Sequence, residues 1–158
     1  GNLAVNPVPC ELGTLLSQMV GEYGEKLEMA QLTPILHQPE EPVTILADSR
    51  HLWRILDNLL NNVCKYALPG TRVYLDLLKN EREALIVFRN ISRSELNVSP
   101  EELTERFVRG DSSRNTEGSG LGLSIASSLT ALQKGRLEVT VDGDLFKVIL
   151  TFPMQERE

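Results

Sequence analysis

Hydrophobic residues recur at three- and four-residue spacing in three parts of the chain, which is the pattern of an amphipathic helix. The first part covers roughly residues 11–29. The second starts after Asp48, a residue suited to an N-cap, and stops at the helix-breaking sequence Leu68-Pro69-Gly70. The third follows a glycine-rich turn and ends near Gly135. The pattern therefore predicts three helices.

Short runs rich in apolar and β-branched residues separate these helices and predict strands. The predicted strands cover residues 32–37, 43–47, 73–78, 84–88, 136–141 and 145–152. Asp142-Gly143, between the last two, is a strong signal for a hairpin. Paired neighbouring strands that alternate with single helices favour an α+β fold over a doubly wound parallel sheet. We expect a two-layer sandwich in which helices cover one face of a mixed sheet.

A long polar segment from Ile91 to Glu117 interrupts this alternation. Inside it, Ser99-Pro100-Glu101-Glu102 is a capping box with proline at the first helical position. This signal predicts a short helix over 100–108. Polar connections of this length inside a compact domain are usually functional. We therefore expect a lid over about 92–117.

Composition and charge narrow the class of protein. A chain of 158 residues with 41% hydrophobic and 24% charged residues suits one soluble globular domain. The formal net charge of −6 argues against a broad nucleic-acid-binding face. Cys10 and Cys64 lie in unrelated contexts without metal-ligand spacing, so we expect reduced thiols in a cytoplasmic protein. We expect a linker over 1–9, a domain over 10–154 and a tail over 155–158.

Two carboxamides and a lysine share one face of the second predicted helix. Asn58 and Asn62 are four residues apart, and Lys65 follows three residues later. Amide oxygens are suitable ligands for Mg²⁺, which keeps several waters and shares its other positions with phosphates. On spacing alone, a second interpretation stays open, in which these side chains face water or bond nearby backbone.

The sequence Gly118-Ser119-Gly120-Leu121-Gly122-Leu123 opens the third predicted helix. It fails the dinucleotide fingerprint, because Leu123 stands where the third glycine belongs, and it lacks the lysine of a P-loop. Free backbone N–H groups at a helix N-terminus still attract anions such as phosphates. A flexible hinge with a close packing contact is the alternative interpretation.

Other polar side chains are weaker candidates. Arg106, Arg109 and Arg114 lie in or beside the predicted lid, where a guanidinium could engage a phosphate or simply face solvent. His37 and His51 have no partners that would make them catalytic, so we expect structural or surface roles for them.

Three segments, in this order, resemble the ATP-binding catalytic domain of bacterial sensor histidine kinases. That family belongs to the superfamily that includes DNA gyrase and mismatch-repair ATPases. Asn58–Tyr66 resembles its asparagine box, Glu105–Arg114 its phenylalanine box and Gly118–Ala126 its second glycine box. The likeness extends from Cys10 to Pro153. It implies the Bergerat ATP-binding fold with a flexible lid.

The resemblance also implies Mg-ATP as the ligand and gives individual residues a role. Asn62 would ligate Mg²⁺ with the assistance of Asn58, and Tyr66 would lie beside the nucleoside. Lys65 and Arg109 would meet phosphates, so the implied catalytic residues are Asn58, Lys65 and Arg109. The β-phosphate region would be held by the glycine turn: Gly118, Ser119, Gly120, Leu121, Gly122 and Leu123.

The family's first glycine box is altered. Asn90 stands at the position of the aspartate that accepts a hydrogen bond from the adenine amine, and Ser92 and Ser94 replace glycines. An asparagine oxygen still accepts that bond, but without a charge, at a loss of about 1 kcal/mol. The missing glycines leave a stiffer loop beside the base.

Asn58 stands where gyrase-like hydrolases carry a glutamate that activates water. An amide cannot act as that base, whereas a neutral imidazole is already a competent nucleophile near pH 7. Asn58 therefore favours phosphoryl transfer to a histidine over hydrolysis.

The resemblance implies the catalytic domain of a two-component kinase. Its acceptor histidine would lie on an upstream helical dimerisation domain outside this chain, and a response regulator would be a further partner. The isolated domain would be monomeric and cytoplasmic, and its parent a homodimer anchored in the membrane. Two alternatives remain: a nucleotide-sensing or scaffolding module without kinase activity, and a Ser/Thr kinase of the anti-sigma type.

Overall fold

The computed structural model of the protein describes residues 4–93 and 121–154. Its strands in this part of the chain are β1 Val8–Glu11, β2 Leu32–His37, β3 Thr44–Ala47, β4 Thr71–Lys79, β5 Glu83–Ile91, β6 Arg136–Asp142 and β7 Leu145–Pro153. Its helices there are α1 Leu12–Glu22, α2 Gly24–Met29, α3 Ser49–Tyr66 and α4 Leu121–Leu132. Among the described helices, none combines the length and the hydrophobicity that a membrane span requires.

Five strands form the main sheet in the order β2-β4-β5-β7-β6. β2 pairs with β4 in parallel, and the other neighbours are antiparallel. β1 and β3 form a separate two-stranded antiparallel sheet. The described residues thus have the mixed sheet and α+β class that the sequence predicts.

The core lies between the main sheet and the helices. On β5, Ala84, Ile86 and Phe88 are buried in the cluster that also contains the apolar side chains of α1, α3 and α4. Alternate residues of a strand point to opposite faces, so Arg89 and the half-buried Leu85 lie on the other face. The helices therefore cover one face of the sheet, which is the two-layer arrangement expected.

Asp48 caps α3 as predicted. Its carboxylate accepts hydrogen bonds from the backbone N–H groups of Arg50 and His51, at 3.0 and 3.4 Å. The helix ends at Tyr66, just before the predicted stop at Leu68. The predicted start and end of this helix are therefore both confirmed.

The third predicted helix also ends near Gly135, but this glycine serves a different purpose from a C-cap. The residue with positive φ is Lys134, at 65°. A Cβ at Gly135 would lie 2.5 Å from the carbonyl oxygen of Thr151. Gly135 is therefore required by close backbone packing against β7.

The prediction of one helix over 11–29 is wrong. Glu11 lies outside the helix, and its carboxylate caps α1 by accepting from the Gly13 amide. Tyr23 separates α1 from α2, between Gly21 and Gly24, and glycines weaken a helix interior.

Other boundaries differ by a few residues. Val8 to Glu11 form β1, so the predicted linker over 1–9 ends in a strand. This strand pairs with β3, and the sequence carries no periodic signal for it. The hairpin turn is Gly143-Asp144, one residue later than predicted, because Asp142 already pairs with Leu145. Gly143 has φ of 63°, which suits the first central position of a type II′ turn.

The two short strands after α2 form as predicted, although they pair with different sheets. The predicted helix over 100–108 and all but the first two residues of the predicted lid lie outside the described residues.

Candidate functional site

Helix α3 carries a stripe of polar side chains along the edge of its buried face. The buried face consists of His51, Leu52, Ile55, Leu56, Leu59, Leu60 and Val63. Asn58 and Asn62 are half-buried and Lys65 is exposed. Their spacing places the three on one side of the helix. We call Asn58, Asn62 and Lys65 the polar stripe.

The side chains of the polar stripe have no hydrogen-bond or ion-pair partner among the described residues. The side-chain nitrogen of Asn58 is enclosed and still has no partner there. Buried polar groups are nearly always hydrogen-bonded. In the described part of the chain, these amides therefore make no hydrogen bond with nearby backbone.

The carboxyl end of α3 is bonded to the end of β5. The Leu68 amide donates to the Ile91 carbonyl at 2.7 Å, and the Arg93 amide donates to the Tyr66 carbonyl at 2.9 Å. The Arg93 guanidinium also donates to the Lys65 carbonyl. These bonds place the last turn of the asparagine-bearing helix beside the strand end from which the predicted lid begins.

Asn90 lies at this same end of β5 and is 5% exposed. It alternates with Ile86 and Phe88, so its side chain is on the helix-covered face of the sheet. Its backbone pairs with Phe146 of β7. The Asn90 side chain makes no hydrogen bond with another described residue. Asn90 therefore stands beside the end of α3, at the same end of the sheet as Tyr66.

Helices α3 and α4 pack against each other, and the start of α3 contacts the end of α4. Asp48, which caps the start of α3, donates from its backbone amide to the side-chain oxygen of Gln133, just beyond the end of α4. An α-helix rises about 1.5 Å per residue, so the twelve residues of α4 match the first twelve residues of α3 in length. This places the start of α4, at Leu121, near the level of residues 58–62.

The first turn of α4 is the part of the predicted glycine turn that the structure describes. Leu121 and Gly122 are helical, and the Leu123 side chain is buried in the core. Leu123 therefore anchors this helix end, and only its backbone is available to a ligand. Arg109, Gly118, Ser119 and Gly120 lie outside the described residues, as do Arg106 and Arg114.

Tyr66 is 39% exposed at the last position of α3. It is next to Lys65, and its carbonyl accepts from the Arg93 amide in the first residues of the predicted lid. The structure thus places Asn58, Asn62, Lys65 and Tyr66 on one helix and Asn90 beside the end of that helix. Their roles toward a ligand stay a prediction.

One contact that positions α3 has no signal in the sequence. The Tyr23 hydroxyl donates to the Asp57 carboxylate at 2.6 Å, and it also lies 3.0 Å from the Asp57 carbonyl oxygen. Burial and this carboxylate raise the pKa of Tyr23 far above its usual range, so the phenol stays protonated. The bond joins the break between α1 and α2 to the residue before Asn58. No local pattern marks it, because its partners are 34 positions apart.

Both histidines have structural contacts, in agreement with expectation. His37 is exposed and lies 2.9 Å from the carboxylate of Asp76 on the neighbouring strand. His51 is buried, and its ring nitrogen lies 2.9 Å from the carbonyl oxygen of Ala4. Neither ring lies in the polar stripe.

Neither cysteine is an activated thiol. Both are free, and burial raises the pKa of each above its usual value. No group of three or more His, Cys, Asp or Glu side chains suited to a metal ion occurs in the described ranges 4–93 and 121–154. In that part of the chain, the candidate metal ligands are the oxygens of Asn58 and Asn62.

The sequence of this chain is similar to the sequences of known ATPases and kinases. Residues 47–156 match the sequence model of a family described as histidine kinase-, DNA gyrase B-, and HSP90-like ATPases. The chain is 31% identical over 146 residues to the sensor histidine kinase RppB of Synechocystis sp.. That alignment covers 89% of this chain and 32% of RppB, so the chain spans about a third of that relative.

Solved structures show the same fold. The catalytic domain of histidine kinase ThkA superimposes with a TM-score of 0.82 at 19% identity, covering 94% of this chain and 96% of that domain. Full-length ShkA, in complex with AMPPNP, superimposes with a TM-score of 0.77 at 23% identity. That superposition covers 99% of this chain and 33% of ShkA.

Proposed function

The chain belongs to the family of histidine kinase-, DNA gyrase B- and HSP90-like ATPases, and from that premise we propose that it is the ATP-binding catalytic domain of a sensor histidine kinase. Membership of this family implies ATP binding. The observation that carries the proposal is the polar stripe of α3, whose amides have no partner among the described residues although the Asn58 nitrogen is enclosed. Ligand groups would satisfy them.

The donor set fits a hydrated Mg²⁺ ion. Asn62 would be its ligand, and Asn58 would contact the ion or one of its waters. Such an ion keeps several waters and shares its other positions with phosphate oxygens. When bound, it would neutralise charge on the β- and γ-phosphates.

The other predicted residues surround the same nucleotide. Lys65 and Arg109 would offer cationic donors to the phosphates, as phosphoryl transfer requires charge stabilisation and positioning. The backbone of the turn Gly118–Leu123 would cradle the β-phosphate region at the start of α4. Tyr66 would lie against the nucleoside, and Asn90 would bond the base. AMPPNP bound to full-length ShkA supports a nucleotide in this fold.

The proposed reaction is phosphoryl transfer. A lone pair on the acceptor imidazole forms the N–P bond while the γ-phosphorus–bridging oxygen bond breaks and ADP leaves. The acceptor loses its ring proton. Asn58 has no basic atom that could activate water, so this site favours the histidine nucleophile over hydrolysis.

The partners follow from the same proposal. The acceptor histidine would lie on an upstream helical dimerisation domain of the same protein, and a response regulator would receive the phosphoryl group. The parent would be a homodimer anchored in the membrane, with this domain in the cytoplasm. The similarity to the sensor histidine kinase RppB supports the assignment of the parent as a sensor kinase.

The test uses the longer protein in which this chain follows its own upstream helices. That protein is incubated with Mg²⁺ and ATP labelled on the γ-phosphate, beside its Asn62→Ala variant. We expect acid-labile, base-stable protein phosphate, strongly reduced in the variant. Acid-stable phosphate on a separate protein would instead indicate a Ser/Thr kinase. ATP binding without any phosphoprotein would indicate a sensing or scaffolding module.

A further inference from the structure

The amino-terminal half of α3 presents two arginines on its outer face. Arg50 and Arg54 are four residues apart and both are exposed, with 80% of the Arg50 side chain accessible to solvent. Residues four apart lie on one face of a helix, so these arginines extend the row of Asn58 towards the start of α3. The Arg54 guanidinium has no ion pair with another described residue. We call Arg50 and Arg54 the arginine pair.

The surroundings of the arginine pair are unfavourable to its charge. Like charges four residues apart on a helix repel each other. Cations near the amino-terminal end of a helix also oppose the helix dipole. The Arg50 guanidinium lies 3.7 Å from the Asp48 carboxylate, but that carboxylate already accepts from backbone amides, including those of Asn6 and Arg50. The fold therefore gains little from these two charges.

The acidic residue of α3 does not compensate the pair. Asp57 comes three residues after Arg54, but its carboxylate accepts from the Tyr23 hydroxyl at 2.6 Å and forms no ion pair with Arg54. The first turn of α3 contains no acidic residue. In a chain whose net charge is −6, the arginine pair is therefore a local concentration of positive charge. Such a surface attracts an acidic partner.

The two ends of α3 differ in how a large partner could reach them. Bonds from Leu68 to Ile91 and from Arg93 to Tyr66 tie the carboxyl end of the helix to the end of β5. The arginine pair, in contrast, is exposed. A protein that approaches the polar stripe along the amino-terminal half of α3 would contact the arginine pair.

We propose that the arginine pair is the docking surface for an acidic segment of the domain that bears the acceptor histidine. This inference rests on the proposed function, because it requires a phosphoryl acceptor at the polar stripe. Guanidinium groups bind carboxylates through two parallel hydrogen bonds, which gives such docking a defined geometry. Arg54 precedes Asn62 by eight residues, which is about 12 Å of helix, so its contact is with the acceptor domain and not with the proposed metal.

The test compares Arg54→Glu with Arg82→Glu, which makes the same charge change at an exposed arginine of the β4–β5 turn. Titration of the isolated chain with ADP and Mg²⁺ measures nucleotide binding, and urea denaturation measures stability. In the longer protein that carries the acceptor, the initial rate of phosphohistidine formation at saturating Mg-ATP measures transfer. Arg54→Lys, which keeps the charge, is measured in the same way.

We expect Arg54→Glu to lower the rate of transfer by about tenfold or more, because a glutamate then faces the acidic partner. Its affinity for ADP should change by less than about threefold, since solvent and salt screen the distant charge. Its stability should equal or exceed that of the wild type, because an opposite-charge pair replaces a like-charge pair. Arg54→Lys should keep most of the rate, and Arg82→Glu should match the wild type in rate and ADP affinity.

A wild-type rate of transfer in Arg54→Glu would overturn this inference and leave the proposed function standing. An equal loss of rate and of ADP affinity would also overturn it, because Arg54 would then belong to the nucleotide site. Binding of the chain to phosphatidylglycerol vesicles that Arg54→Glu abolishes, with the rate unchanged, would assign the surface to a membrane instead. Absence of phosphohistidine in the wild-type longer protein would overturn the proposed function together with this inference.

Discussion

The side-chain oxygen of Gln133 accepts a hydrogen bond of 2.9 Å from the backbone amide of Asp48. This bond connects the residue after α4 to the cap of α3, so the two helices that carry the proposed nucleotide contacts are held in fixed register. The proposed phosphate contacts of α4 depend on this register, because they must lie level with the polar stripe.

Replacing Gln133 by methionine should destabilise the fold by about 1–3 kcal/mol. The side chain is 5% exposed, and its loss leaves the buried Asp48 amide without a partner. Urea denaturation measures the effect, and Gln18→Met, at an exposed position of α1, is the control. Equal stability of Gln133→Met and the wild-type chain would show that this bond contributes nothing net.

Removing the hydroxyl of Tyr23 should also cost stability. Tyr23→Phe loses the bond to the Asp57 carboxylate and leaves that acceptor half-buried, for which we expect a loss of about 1–2 kcal/mol. Tyr74→Phe is the matched control, because the Tyr74 hydroxyl makes no hydrogen bond with a described residue. A loss in Tyr74→Phe as large as in Tyr23→Phe would contradict this assignment.

Asp48 should make the stability depend on pH in the acid range. Hydrogen bonds from the amides of Asn6, His51 and Arg50 hold the pKa of its carboxyl below the usual value. A depressed pKa in the folded state stabilises the protein above pH of about 4 and loses that effect as pH falls further. Asp48→Asn keeps a good N-cap but should reduce the slope of unfolding free energy against pH between about 5 and 3.

The control for this slope is Asp142→Asn, since that exposed carboxylate has no hydrogen bond or ion pair with a described residue. Its slope should match the wild type. An unchanged slope in Asp48→Asn would assign the acid sensitivity to other carboxylates.

Replacing Gly135 and Gly21 by alanine should change the stability of the fold in opposite directions. Gly135→Ala places a methyl group 2.5 Å from the Thr151 carbonyl oxygen and 2.8 Å from the Phe152 ring, so we expect a loss of about 1–3 kcal/mol. Gly21→Ala meets nothing within 4 Å and should stabilise α1 by up to about 1 kcal/mol. Thermal unfolding of both variants tests this opposition.

Local chemistry explains what the sequence could predict. Asp48 and the polar stripe of α3 follow from capping and from helical spacing, which depend on neighbours within one or two turns. The bonds from Tyr23 to Asp57 and from Asp48 to Gln133 join residues 34 and 85 positions apart, so no local pattern contains them. β1 was missed for a similar reason, because Cys10 is its one buried side chain and the strand exists through its pairing with β3.

We infer that the polar stripe of α3 binds a magnesium nucleotide. The most direct test is calorimetric titration of the chain with ADP and a non-hydrolysable ATP analogue, with and without Mg²⁺. Asn62→Ala is compared with Asn61→Ala, an adjacent half-buried amide outside the stripe.

We expect micromolar binding that requires Mg²⁺ and that is weakened by about tenfold or more in Asn62→Ala and little in Asn61→Ala. Contradiction would come from a folded wild-type chain that binds neither nucleotide, or from binding that is independent of Mg²⁺ and unaffected by Asn62→Ala.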